Sequence, residues 1–133
     1  MTPKQKMKKP IFTNKAPEAL GPYSQAIQWG DVVFISGQIP IIPSTGELND
    51  ASFIDQANQV IDNLEAICIE AGASLDHILK LTIFLTNLEK FDVVNKIMER
   101  RFSEPFPARA TVEISKLPKG VEIEMDAILS IQA

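Results

Sequence analysis

The sequence predicts an α+β fold, a two-layer sandwich in which a mixed six-stranded sheet carries two helices on one face. Three observations lead there. Two stretches, 53–71 and 89–102, repeat apolar residues at helical spacing. Six others have the length and alternation of strands. The resulting order, β-β-β-α-β-α-β-β, uses each helix as a crossover between strands. Crossovers of this kind join parallel strands, and their right-handedness puts both helices on one side of the sheet. The chain has 133 residues, the size of one domain. Residues 1–10 read as a basic flexible tail and 11–133 as a single domain.

Taken in order, Ile11–Thr13 reads as a short edge strand and Ala16–Pro22 as a loop. Ser24–Trp29 and Val32–Gln38 flank Gly30-Asp31, a two-residue hairpin turn. Val32, Val33, Phe34 and Ile35 are apolar on both faces, as in a central strand. Ile39–Gly46 is a loop. The first helix places Phe53, Ala57, Val60, Ile61, Leu64, Ile67, Cys68 and Ala71 on one stripe. Ser52 and Asp55 have capping-box spacing, and Gly72 is a natural stop. Cys68 lies on the stripe and reads as core.

His77–Thr86 alternates as a strand, with His77 a surface or turn residue at its mouth. Glu89–Phe102 is a second amphipathic helix with Phe91, Val94, Met98 and Phe102 inward and Asn95 on its flank. Pro105 and Pro107 close it. Ala108–Ile114 and Val121–Ile131 alternate again, joined by Ser115–Gly120 as an expected antiparallel pair. One sheet face is left without helices, and Phe34 or Ile35, Phe84 and Ile128 would need cover there. A second subunit is the economical cover.

Composition excludes several classes. There are 13 basic and 17 acidic residues, net −4, with one Cys and one His. A single thiol closes no intrachain disulfide, and one Cys and one His build no zinc cluster. Lys4, Lys6, Lys8 and Lys9 leave nine basic against seventeen acidic residues in the rest of the chain, a net −8. Such a body repels a phosphate backbone, so a nucleic-acid partner is not expected. No apolar run approaches bilayer length, no signal peptide follows the lysines, and a cytoplasmic protein with no membrane association is expected. Phosphate loops and dinucleotide turns are missing, and no carboxylates have metal-loop spacing, so no metal site is expected.

Alternation singles out two charges. If the apolar faces of the last two strands pack on the helices, Arg109 and Glu124 both lie on the helix-free face. Arg109 offers a planar fork for a carboxylate, and Glu124 can hold a water or move a proton. The same pair also suits a cross-strand salt bridge.

Four ordered motifs then carry a resemblance. Pro107-Ala108-Arg109-Ala110-Thr111-Val112-Glu113-Ile114, with Leu117-Pro118-Lys119 and Ile123-Glu124-Met125, resembles the C-terminal signature of the reactive-intermediate deaminase family, RidA, also called YjgF or L-PSP-type. Gly21-Pro22-Tyr23-Ser24-Gln25-Ala26 resembles its GPY segment, Ser36-Gly37-Gln38-Ile39-Pro40 its SGQ segment, and Phe91-Asp92-Val93-Val94-Asn95 its F-x-x-V-N. The likeness covers about Ile11–Ala133.

The resemblance implies a chorismate-mutase-like fold and a homotrimer with ligand clefts between subunits. It implies hydrolysis of enamines and imines such as 2-aminoacrylate and 2-iminopropanoate to a 2-oxo acid and ammonia, with no metal and no organic cofactor. Such substrates escape from pyridoxal-phosphate-dependent dehydratases. An imine is already electrophilic, so positioning plus proton transfer suffices. Arg109 would grip the substrate carboxylate and Glu124 would orient water and shuttle a proton. By resemblance Tyr23 and Asn95 line the cleft, and backbone groups of Gly37 and Thr111 contact substrate or water. Ser36 joins the substrate-binding set as a strand-end residue rather than a nucleophile. Several family members have Cys where this chain has Thr111, a change that a backbone role tolerates. Two other readings are a small-carboxylate-binding regulatory protein and an endoribonuclease or translation inhibitor, the latter opposed by the acidic body.

Overall fold

A computed structural model describes residues 7–131. Its strands are β1 (Lys9–Ile11), β2 (Ala26–Trp29), β3 (Val32–Gln38), β4 (Ile78–Leu85), β5 (Ala108–Glu113) and β6 (Ile123–Ser130). Its helices are α1 (Phe53–Glu70) and α2 (Phe91–Arg101). The strands form one mixed sheet in the order β1-β2-β3-β6-β4-β5. The expected α+β architecture is therefore present, with every element within a few residues of its predicted span.

Residues 1–6 of the expected tail lie outside the described residues. Lys9 and Pro10, also assigned to that tail, instead pair with Gln28 and Ile27. A proline is tolerated there because an edge strand has one side that needs no N–H donor. The strand stops at Ile11 rather than Thr13. The Thr13 N–H turns to the Gln25 side chain, donating to Oε1 at 2.8 Å.

The helix boundaries follow their caps. Ser52 accepts from the Asp55 N–H at 3.0 Å, starting α1. Gly72, at φ +87°, takes the left-handed conformation just past its end. The His77 ring nitrogen Nδ1 accepts from the Ser74 N–H at 3.1 Å, so the lone histidine is a turn residue, as expected. Cys68 is fully buried, and burial pushes its thiol up to about 12.

One expectation fails. The last two strands do not pair with each other, because β4 lies between them, parallel to β5 and antiparallel to β6. Crossover α2 delivers β5 directly to one edge of β4. The other edge of β4 takes β6, whose Ile123, Met125 and Ala127 sit beside Leu85, Ile83 and Leu81, all six buried. The segment between β5 and β6 therefore crosses the end of β4 instead of turning a hairpin.

Residues paired across neighbouring strands share a face. Val33, Ile35, Leu81, Ile83, Leu85, Met125 and Leu129 lie on the helix side, and they form one core with Ala57, Val60, Ile61 and Leu64 of α1 and Val94 and Ile97 of α2. Arg101 of α2 bonds Asn58 and Asp62 of α1, so both helices lie side by side on this face. The opposite face carries Phe34, Ile128, Phe84 and Val112. Phe34 is 48% exposed and Val112 41%, so the chain alone leaves apolar surface there.

Candidate active site

The cleft around Glu124 is made by an irregularity in the sheet. Ile35 pairs with Ala127 and Gln38 with Met125, so Ser36 and Gly37 together face Asp126 alone. This bulge interrupts the ladder beside Glu124. Gly37 lies directly beneath the Glu124 side chain. A Cβ added there would collide with the carboxylate Oε2 and come within 2.9 Å of Cδ. The Glu124 carboxylate makes no hydrogen bond to another described residue. Burial, with Asp126 as a second cause, holds its carboxyl above the ordinary value of 4.5. A cleft of about 490 Å³ opens here, walled by Tyr23, Ser36, Ile39, Ile41, Pro118 and Glu124, among others. Tyr23 is 55% exposed at its rim. The Ser36 hydroxyl is occupied, donating to the Ser24 carbonyl at 2.6 Å. That bond ties Ser36, at the bulge inside β3, to the Ser24 backbone.

Arg109 sits elsewhere. It is paired with Leu81, and Leu81 with Ala127, so Arg109 lies on the helix side of the sheet. Glu124 pairs with Phe84, and Phe84 with Val112, which places Glu124 on the helix-free side. The expectation that both charges share one face is therefore wrong, and within one chain no salt bridge joins them. The departure lies at β5. Its apolar residues Ala108, Ala110 and Val112 turn away from the helices, while Arg109 and Thr111 turn toward α2. A polar flank on α2 makes this possible. Asn95 Oδ1 accepts from Arg109 Nη1 at 2.6 Å, and Met98 Sδ lies 3.6 Å from the same nitrogen. The guanidinium stacks 4.9 Å above the Phe91 ring centroid. A recess of about 260 Å³ beside it is lined by Asn95, Met98, Phe106, Pro107 and Arg109. Thr111 follows on the same face, and its Oγ1 is buried without a hydrogen-bond partner.

The structure thus groups Tyr23, Ser36, Gly37 and Glu124 in one recess and Asn95 and Arg109 in another. Sequence reasoning missed Phe91 and Met98, which it read as core alone. Their signal is spacing, since Phe91, Asn95 and Met98 stand at i, i+4 and i+7 on one helical stripe. It also missed two buried amides of α1. Gln56 accepts from the Glu122 N–H at 2.8 Å and donates to the Glu122 carboxylate at 3.2 Å, holding the entry to β6. Asn63 holds the loop after β3.

Fold and recesses define a single-sheet α+β domain with two recesses of small-molecule size, one carrying a raised carboxyl and the other an arginine. The endoribonuclease L-PSP family model matches residues 13–131, and the chain belongs to this family, the RidA/YjgF/L-PSP proteins. It is 49% identical over 125 residues to the RutC family protein y4sK of Sinorhizobium fredii, covering 94% of this chain and 99% of that one. It is 43% identical to TdcF of Escherichia coli K12, a candidate reactive intermediate deaminase, over 92% of this chain and 96% of TdcF. TdcF has also been solved with bound serine, at a TM-score of 0.84. The crystal structure of RidA from an Antarctic Psychrobacter superposes with a TM-score of 0.90 at 46% identity, covering 92% of this chain and 99% of that one.

Proposed function

We propose that the protein is an enamine/imine deaminase that hydrolyses 2-aminoacrylate, 2-iminopropanoate and similar intermediates to 2-oxo acids and ammonia. The observation that carries this reading is Glu124, a half-buried carboxyl raised above its ordinary value, without a hydrogen-bond partner for its side chain among the described residues, over a glycine in an open cleft. A raised carboxyl exchanges a proton closer to neutral pH, which is what a combined general base and acid needs. The names of relatives and the serine bound to TdcF support a small amino-acid-like ligand.

The chemistry then runs on this chain's own groups. An enamine first tautomerises, its terminal carbon taking up a proton as its nitrogen gives one up to solvent, and becomes the imine. Arg109, anchored by Asn95 and Phe91, holds the substrate carboxylate through N–H groups that Asn95 does not use. Glu124 accepts a proton from water as its oxygen bonds to the imine carbon. The same carboxyl returns that proton to nitrogen, giving the carbinolamine; it then takes the hydroxyl proton and passes it to nitrogen as the C=O bond forms and the C–N bond breaks, so ammonia leaves with the 2-oxo acid. Tyr23, Ser36, the Gly37 backbone and Thr111 complete the substrate-binding set.

Arg109 and Glu124 lie on opposite faces of one chain, so the complete site needs two chains. In the homotrimer of this proposal, the Arg109 recess of one subunit meets the Glu124 cleft of its neighbour. The uncovered Phe34, Trp29 and Val112 support such an assembly. Among the described residues no helix is long and apolar enough to cross a membrane, and the proposed setting is the cytoplasm.

The test is a coupled assay. A threonine or serine dehydratase generates the imine, and 2-oxo acid release is followed with and without the protein. Acceleration that is lost in Arg109→Ala supports the reading. No acceleration at stoichiometric protein overturns it.

A further inference from the structure

The apolar wall of the Glu124 cleft is held by a chain of side-chain amides reaching from α1. Asn63 is 1% exposed, inside the apolar stripe of the helix. Both of its Nδ2 protons are spent on the cleft wall, donating to the Ile39 carbonyl at 3.2 Å and the Ile41 carbonyl at 3.0 Å. Its Oδ1 accepts from Gln59 Nε2 at 3.0 Å. Gln59 Oε1 in turn accepts from Asn49 Nδ2 at 3.3 Å, at the far end of the same loop. The loop closes on itself as well, with the Asn49 N–H donating to the Pro40 carbonyl at 2.8 Å.

A buried amide with every hydrogen-bonding group satisfied fixes one geometry, because any shift leaves a polar group unpaired. Here the fixed object is the Ile39–Ile41 segment, which follows Gly37 and Gln38 directly and whose Ile39 and Ile41 line the same cleft as Glu124. The α-carbon substituent of a bound imino acid has to lie somewhere in this cleft, and Ile39, Ile41 and Pro118 are its apolar surface.

We propose that Asn63 and Gln59 are positioning residues that set substrate selectivity, by holding the Ile39–Ile41 wall where it contacts the apolar side chain of the bound imino or 2-oxo acid. This deepens the deaminase reading and uses its site. Asn63 and Gln59 touch no substrate. Their effect passes through the wall, which favours larger apolar side chains over a methyl group.

The test compares two ligands that differ only in that side chain, pyruvate and 4-methyl-2-oxopentanoate, by isothermal titration calorimetry on the full chain. In parallel, an amino-acid oxidase supplies the matching imines from alanine and leucine, and their hydrolysis is followed. Asn63→Ala unpairs two carbonyls and risks the fold, so Gln59→Ala and Ile41→Ala are the working variants. Relative to wild type, both should weaken the larger ligand against pyruvate by about threefold to tenfold, the scale of a lost apolar contact. In Gln59→Ala this appears in KM for the leucine-derived imine, with kcat for the alanine-derived imine within about twofold of wild type.

A purely structural role for Gln59 would lower Tm and leave the selectivity ratio alone. An unchanged or reversed ratio in Gln59→Ala, in a wild type that hydrolyses imines, overturns the positioning claim and leaves the deaminase reading standing. Selective binding that Gln59→Ala relaxes, in a wild type without hydrolysis, supports the positioning claim and removes the deaminase reading. A wild type that binds neither 2-oxo acid overturns the claim.

Discussion

Gly37→Ala separates the placement of Glu124 from the stability of the fold. The new Cβ would overlap the Glu124 Oε2 and stand 2.9 Å from Cδ and 3.3 Å from Cγ. Carbon atoms not bonded to each other settle at about 3.5–4.0 Å, so the carboxyl has to swing aside by about 1 Å. A displacement of about 1 Å at a reacting group costs about a hundredfold in rate, or about 2.7 kcal/mol of transition-state stabilisation. The fold should survive. Gly37 is not among the glycines with positive φ, so alanine is not strained at its backbone, and it lowers the entropy of the unfolded chain.

The assay is the coupled dehydratase reaction, with Tm and circular dichroism measured beside it. The expected result is kcat lower by about a hundredfold with a Tm near that of wild type. A double variant with Glu124→Gln sharpens the test. If Gly37→Ala acts only by moving Glu124, the double variant is no slower than Glu124→Gln alone, because the two substitutions remove the same interaction. A folded Gly37→Ala protein with kcat within about threefold of wild type refutes the reasoning. Independent, multiplying losses in the double variant refute it too.

Three further outcomes follow from the same geometry. Glu124 holds its proton more tightly than an ordinary glutamate because burial and Asp126 disfavour its charge. The folded chain therefore binds more protons than the unfolded one between 4.5 and the raised value, and stability falls as pH rises through that window. Glu124→Gln removes this cost, so its Tm should exceed that of wild type at neutral pH and converge with it at acid pH; a less stable variant at neutral pH refutes this origin. Arg109→Lys keeps the charge but loses the fork, the Asn95 bond and the Phe91 stack, and should raise KM by about tenfold to a hundredfold with a smaller change in kcat, read from the coupled assay. Phe34→Asp puts a charge on the uncovered face and should shift the mass measured by light scattering from that of the proposed trimer toward monomer; a mass equal to that of wild type would place the subunit contact elsewhere.

Strand and helix positions were legible because α1 and β6 each obey one period over their full length. Every second residue of β6 from Ile123 to Leu129 is buried, and Ser52 and Gly72 mark the ends of α1. The partner of a strand is not written in its own alternation. Strand β6 looks as suited to β5 as to β4, and only the direct crossover through α2 settles which one it joins. The edge strand misled for a related reason. At the centre of the sheet the apolar side of a strand must face the helices. At its margin the covering helix is α2, whose flank offers Asn95 and an aromatic ring in place of an aliphatic surface. There the arginine is the better-satisfied neighbour, and small Ala108 and Ala110 can turn outward at little cost.

That inversion at β5 has a functional consequence under the deaminase reading. One sheet can present the carboxylate grip and the proton-transfer group to the same substrate only if both lie on the same side. Here Arg109 lies against α2 and Glu124 lies beyond the bulge on the other face, so a lone chain holds two incomplete halves. Activity then depends on assembly, and dilution should reveal it. Below the concentration at which subunits separate, specific activity should fall with the fraction of assembled protein rather than stay constant. Mixing two variants tests the same dependence. Arg109→Ala chains and Glu124→Gln chains should each be inactive alone, but in the proposed trimer a mixture would contain some junctions in which the wild-type Arg109 of one subunit meets the wild-type Glu124 of another. Recovered activity in such mixtures is the result that two faces and one shared site require; a mixture as inactive as its parents would mean that the two residues never serve one substrate.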